Sequence, residues 1–104
     1  MIGNRNSLSF GLYGDENLIG VSLGKVRHWY EGTEYWIDEF GILPTKQKNG
    51  LGSKFLNGIE DFLTTIGIVG IVLLTDRTMP AYRFYQRNGF QAKEEQVFFV
   101  KEIR

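Results

Sequence analysis

The stretch "KQKNGLGSKFL", residues 46–56, decides how this chain is read. It sets two glycines and three lysines just where an amphipathic helix begins. Ordered glycines cost backbone entropy. A helix N-terminus already carries partial positive charge and disfavours further cations. A segment that breaks two local preferences together points to a ligand, and the charge at this one points to an anion.

Helical spacing runs on from Leu51. Leu51, Phe55, Ile59, Phe62, Leu63 and Ile66 recur at threes and fours, with Lys54, Asn57, Glu60 and Asp61 on the other face. Gly67 predicts the stop. "IVGIVLL" (68–74) is apolar on both faces, which predicts a strand covered on both sides. Upstream, "LSFGLY" (8–13), the turn "GDEN" (14–17) and "LIGVSLGKV" (18–26) predict an antiparallel hairpin. "HWYEGTE" then turns the chain into "YWIDEFGIL" (35–43), a third strand rich in aromatic and branched residues that Pro44 closes. Downstream, a short helix is predicted from Thr78 or Met79, with Pro80 in its first turn, Ala81, Phe84 and Tyr85 as its stripe and Gly89 at its end. "FQAKEEQVFFVKEI" (90–103) predicts a final hairpin. The fold class is therefore α+β (mixed α/β). Its sheet is largely antiparallel, with one parallel pair joined by a right-handed strand–helix–strand crossover.

Bulk properties narrow the field. A length of 104 residues suits one domain, 1–104. A hydrophobic fraction of 42% with 14% aromatics supports a packed core rather than disorder. The formal net charge is zero, whereas a broad nucleic-acid footprint shows as a basic excess, so no nucleic-acid partner is expected. The absence of cysteine excludes disulfides, thiolate metal sites and a cysteine nucleophile within the chain; no metal is expected. "MIGNRNSLSF" (1–10) lacks the apolar core of a signal peptide, and the run Ile68 to Leu74 is too short to span a bilayer. A cytoplasmic protein without a membrane partner is the expectation.

Backbone N–H groups left unpaired at a helix N-terminus can cradle phosphate, and three glycine patterns build such a cradle. The nucleotide P-loop G-x-x-x-x-G-K-[ST] is absent. The dinucleotide fingerprint G-x-G-x-x-G fits Gly50 and Gly52 and then fails at Phe55. Pro44 to Asn49 also separate these glycines from the strand they should follow directly. The third pattern, Q/R-x-x-G-x-G/A, is met by Gln47-Lys48-Asn49-Gly50-Leu51-Gly52. Here the sequence resembles the GCN5-related N-acetyltransferase (GNAT) family. "PAYRFYQRNGF" (80–90) resembles that family's second signature, A-x-x-x-Y-x-x-x-G-F, carried by Ala81, Tyr85, Gly89 and Phe90. Strand, proline, glycine loop and element order extend the resemblance over roughly residues 8 to 102.

The resemblance implies acetyl-CoA as acetyl donor and an amine as acceptor, a small molecule or a peptide terminus. It implies that a bulge in the third strand seen here (the family's fourth) parts it from the next, with Phe40, Gly41 and Ile42 contacting the pantetheine arm. Backbone amides of Gln47, Lys48, Asn49, Gly50, Leu51, Gly52 and Ser53 would hold the pyrophosphate, with added charge from Lys48. Tyr85, a phenol of pKa near ~10, would protonate the departing sulfur. The amine must be neutral to attack, so a base is needed. Glu39 is preferred to Asp38 for that role, through a bound water; alternation sends the two to opposite faces of the strand. A plain solvated carboxylate stays open as the alternative for each, and Glu34 lies near the strand's start. The single histidine, His28, falls in a predicted turn and suits the surface. Trp29, Tyr30, Tyr35 and Trp36 could be core, acceptor wall or subunit contact.

Two departures stand out. Thr78 occupies the position where many members place an asparagine against the cofactor arm. The chain also begins about where the family's second strand would be, which leaves a sheet edge that a homodimer would shield. An N-acetyltransferase is the leading reading; an acetyl-CoA-binding module without turnover, or a small structural domain, are the alternatives.

Overall fold

A computed structural model describes residues 6–29, 32–46 and 50–103. The chain divides into two compact units, Met1–Leu74 and Thr75–Arg104.

In the first unit, strand β1 (Ser7–Gly14) and strand β2 (Asn17–Trp29) form the predicted hairpin. Its turn residues Asp15 and Glu16 both have positive φ, 51° and 67°, the condition for a two-residue turn whose twist matches the strands. Strand β3 (Gly32–Ile42) pairs antiparallel with β2. The predicted turn 28–34 is tighter than expected, since the ladder runs out to Trp29 opposite Gly32. Pro44 ends the third strand as predicted, and Pro44–Lys46 form a single 3-10 turn. Helix α1 (Leu51–Thr65) follows and delivers the chain to strand β4 (Ile68–Val72), which pairs parallel with β3. The sheet order is β1-β2-β3-β4, mostly antiparallel with one parallel pair, as the fold class requires.

α1 packs on the sheet face that carries Phe10, Tyr35 and Phe40. Phe55, Leu56, Ile59 and Leu63 are its buried residues. The predicted stripe is thus rotated: Leu56 goes in, while Phe62 and Ile66 are about half exposed, at 47% and 51%. Residues 55, 56, 59 and 63 form a tighter helical face, and Phe62 sits at its flank with its ring 5.7 Å from Phe10. Phe40 stacks on Phe55 at 5.3 Å, and Phe10 meets Tyr35 edge-on at 5.5 Å. Tyr35 is fully buried. Its hydroxyl donates to the Leu8 carbonyl at 3.1 Å, so its one proton is spent and Ser22 Oγ, 3.0 Å away, is the donor to it. β4 departs from the expectation of cover on both faces: Ile68 is buried and Val69 is 71% exposed, so one face is covered within the first unit.

The second unit contains helix α2 (Pro80–Arg87), with Pro80 in its first turn as predicted. The expected final hairpin is not formed: no ladder joins residues 91–103 to one another. Its turn exists, since Gln96 N–H donates to Lys93 O at 3.2 Å. The arm before that turn is too short, because Phe90 is committed to capping α2 (N–H to Tyr85 O, 3.0 Å), leaving Gln91 and Ala92 to pair.

Candidate active site

The parallel β3–β4 ladder ends at Trp36 opposite Val72, yet β3 continues to Ile42. β4 ends there too, so residues 37–42 of β3 have no partner in β4. At the same place the β2–β3 register shifts, from Gly24 opposite Ile37 to Leu23 opposite Glu39. Asp38 is the extra residue of a β-bulge. The cause is partly steric. A Cβ at Gly24 would run into the Trp36 carbonyl oxygen and the Tyr35 ring, so only glycine lets β3 press in here.

The bulge overturns the expectation that Asp38 and Glu39 point to opposite faces. Asp38 reaches Lys25 Nζ at 3.3 Å. Glu39 is registered opposite Leu23, two residues from Lys25 and hence on the same face of β2. The extra residue hands the other face to Phe40, which explains its stacking on Phe55. Glu34, the other candidate carboxylate, accepts from the Trp36 indole N–H at 3.1 Å, and the Arg27 guanidinium lies 4.7 Å over the Trp36 ring. His28 Nδ1 lies 3.2 Å from Thr33 Oγ1, opposite it in the ladder and exposed, the surface role expected. Of the four aromatics left open, Tyr35 is core and Trp36 belongs to the face away from α1. Tyr30 and the side chain of Trp29 lie outside the described residues.

At the anion end, Gly50 heads α1 with φ 73° and ψ 18°, left-handed, and no side chain among the described residues caps the helix. Lys54 N–H makes the first helical bond, to Gly50 O at 3.1 Å. The N–H groups of Leu51, Gly52 and Ser53 therefore have no acceptor within the helix. A left-handed residue leading into right-handed ones makes the concave row of amides that suits an anion. Among the described residues nothing lies within 4 Å of a Cβ placed at Gly50 or at Gly41, so the backbone at both can be approached closely. Gln47, Lys48 and Asn49 lie outside the described residues.

In the second unit, Asp76 Oδ1 accepts from both Thr78 N–H (2.8 Å) and the Thr78 hydroxyl (2.7 Å), which holds the Asp76 carboxyl below its usual range. The Thr78 oxygen is left as an acceptor. Tyr85 is buried, and burial pushes its phenol up from the ordinary value. Its ring meets Phe84 and Phe90, each at 5.3 Å and edge-on. Gly89 is left-handed at φ 89°; its N–H donates to Gln86 O and the Phe90 N–H to Tyr85 O. The Y-x-x-x-G-F pattern is thus a Schellman cap, with Phe90 as its hydrophobic contact. Among the described residues no group of His, Asp or Glu is placed to hold a metal ion.

Sequence reasoning missed Lys25, Gly24 and Asp76. Only Gly24 left a signal, as a lone glycine inside a strand pattern.

The model of the Acetyltransferase (GNAT) family matches residues 2–90. The chain belongs to the GNAT family. It is an acyltransferase by that membership, and the family uses acetyl-CoA. A search of curated proteins finds no match. Among solved structures, the GNAT chain resembles an aminoglycoside acetyltransferase, meta-AAC0020 from an uncultured soil metagenomic sample, in complex with sisomicin: TM-score 0.84, 20% identity, 99% of this chain and 70% of that one. It resembles a ribosomal-protein-alanine N-acetyltransferase from Brucella melitensis at TM-score 0.81 and 14% identity, over 98% of this chain and 75% of that one. A third is AAC(6')-Iy in complex with a bisubstrate analog, CoA-S-monomethyl-acetylneamine, at TM-score 0.77, 20% identity, 96% and 72%. At such identities the likeness is one of fold, and this GNAT chain spans about 70% of the length of the first of them.

Proposed function

We propose that this GNAT chain, working as one catalytic domain, transfers an acetyl group from acetyl-CoA to a primary amine of a small molecule or peptide, by direct attack in a ternary complex. The observation that carries the reading is that β3 runs on through a bulge past the end of its pairing with β4, followed by a left-handed glycine at the head of α1. An extended arm would run along that part of β3, beside Phe40, Gly41 and Ile42. The first-turn amides from Gly50 to Ser53 suit a diphosphate, and Gln47, Lys48 and Asn49 join them in this reading. Thr78, with its proton given to Asp76, would accept an N–H from the same arm.

A protonated amine gives one proton, through water, to Glu39 or Asp38 and becomes a nucleophile. The C–N bond forms, the thioester C–S bond breaks, and the thiolate takes a proton from the Tyr85 phenol, which solvent restores. The second amine proton leaves to bulk water. The thioester oxygen, negative in the tetrahedral intermediate, is served by a preplaced backbone donor of β3. Because β1 pairs with β2 alone among the described residues, it presents a sheet edge, and a homodimer that covers that edge is part of the proposal.

Two measurements test it. Acetyl-CoA titration by calorimetry should give heat and a raised Tm; neither being seen would remove the reading. Thiol release over a panel of amines should then identify the acceptor. That panel begins with sisomicin and a peptide bearing alanine, since two structural neighbours are an aminoglycoside acetyltransferase in complex with sisomicin and a ribosomal-protein-alanine N-acetyltransferase.

A further inference from the structure

The bulge gathers carboxylates on one face of the sheet, and the cations of β2 sort them. Arg27 lies over Trp36, whose indole N–H is held by Glu34. Lys25 Nζ lies 3.3 Å from Asp38 Oδ1 and 3.4 Å from Oδ2, straddling the carboxylate of the extra residue. Lys25 is registered with Trp36, so it reaches across the bulge rather than to its own partner. Glu39 faces Leu23, an apolar side chain with nothing to donate, and among the described residues its carboxylate has no hydrogen bond or ion pair. Of three carboxylates on this face, two are held and one is left over.

We propose that Lys25 is a positioning residue for acetyl transfer: by clasping Asp38 across the bulge, it keeps the Glu39 carboxylate uncommitted to receive the proton the amine releases. The inference rests on the acetyl-transfer reading above and adds a role for a residue outside both family signatures. Without Lys25, Asp38 is loose beside Glu39 on consecutive residues of an irregular strand. It can then compete for the bridging water or turn the bulge toward itself. Lys25 and Asp38 are 40% and 55% exposed, and exposed pairs contribute little to stability, so removing the lysine leaves the fold in place. Any kinetic effect can then be seen separately from unfolding.

The experiment compares wild type, Lys25→Met, Lys25→Arg, Glu39→Gln and the Lys25→Met/Glu39→Gln double variant, using acetyl-CoA and the best amine of the panel. Glu39→Gln should lower kcat by about a hundredfold, the loss of a proton acceptor. Lys25→Met should lower kcat by roughly threefold to tenfold, the range of coupling between residues in one network, with KM for acetyl-CoA and Tm unchanged. Lys25→Arg should restore much of it. In the Glu39→Gln background Lys25→Met should add nothing. The proposal is overturned if Lys25→Met turns over like wild type, if its effect adds in full to that of Glu39→Gln, or if kcat falls only in step with Tm. It is overturned too if Glu39→Gln is silent. These outcomes leave acetyl transfer standing, whereas a wild type that binds acetyl-CoA and releases no thiol with any amine removes that reading and this one together.

Discussion

Tyr85 shows how a motif residue can have a structural and a chemical job at once. Its carbonyl accepts from Phe90 N–H to close the end of α2, and its ring meets those of Phe84 and Phe90. The backbone half of that role is indifferent to side-chain chemistry, and the ring half is met by phenylalanine. The hydroxyl is the part of the residue that the catalytic reading uses. Burial raises its pKa above the ordinary value, so at neutral pH it holds the proton a departing thiolate needs. Tyr85→Phe should therefore keep acetyl-CoA affinity, measured by calorimetry, while kcat falls by about a hundredfold, the contribution of a positioned acid. Unchanged turnover would leave Tyr85 a capping residue alone. Thr78 differs in kind: its hydroxyl proton is already given to Asp76, so it can offer only a lone pair where an asparagine offers an N–H as well.

Elements set by local chemistry were legible in the sequence, and those set by a neighbour were not. Pro80 and Gly89 mark the ends of α2, and Gly67 follows the end of α1, because a fixed φ and a left-handed φ are properties of single residues. The resemblance implied a bulge in this strand, but its effect on the facing of Asp38 and Glu39 was missed because strict alternation assumes a regular pleat, and the irregularity is admitted from β2 by the missing side chain of Gly24. That one residue decided which carboxylates share a face, so the chemistry of the site was legible as a set of residue types and its geometry was not. The final hairpin failed for a related reason, its first arm being spent on a helix cap. Two variants test the local claims. Glu16 is held at φ 67°, a conformation that costs a side-chain-bearing residue about 1–2 kcal/mol. Glu16→Gly should thus gain about 1 kcal/mol in chemical denaturation, partly offset by entropy in the unfolded chain, with acetyl transfer unchanged; a loss of stability would contradict the turn geometry. Gly50→Val meets no neighbour among the described residues but inherits φ 73°. It should lose a similar amount of stability and also weaken acetyl-CoA binding. Full affinity in that variant would dissociate the α1 head from the diphosphate.

At the scale of the whole molecule, each unit holds a buried tyrosine whose pKa burial raises: Tyr35, between Ser22 and the Leu8 carbonyl, and Tyr85 of α2. The sign of the consequence is fixed. A folded state that holds these protons more tightly than the unfolded chain loses nothing while both states are protonated, below the ordinary tyrosine value of about 10. As pH rises past it, the unfolded chain ionises first and stability falls until the folded pKa is passed. Asp76 acts oppositely: its lowered pKa contributes stability above the ordinary carboxyl range, and that contribution is lost as pH falls through the folded value. The stability plateau should therefore be bounded by a carboxylate on the acid side and by phenols on the alkaline side. Denaturation midpoints measured from pH 8 to 11 should stay level to about pH 9.5 and then drop. Tyr35→Phe should lower the plateau by about 1–3 kcal/mol, since the Leu8 carbonyl and Ser22 lose a buried partner, and should make the alkaline drop shallower. A drop of unchanged steepness in Tyr35→Phe and in Tyr85→Phe alike would show that neither phenol is the group being titrated.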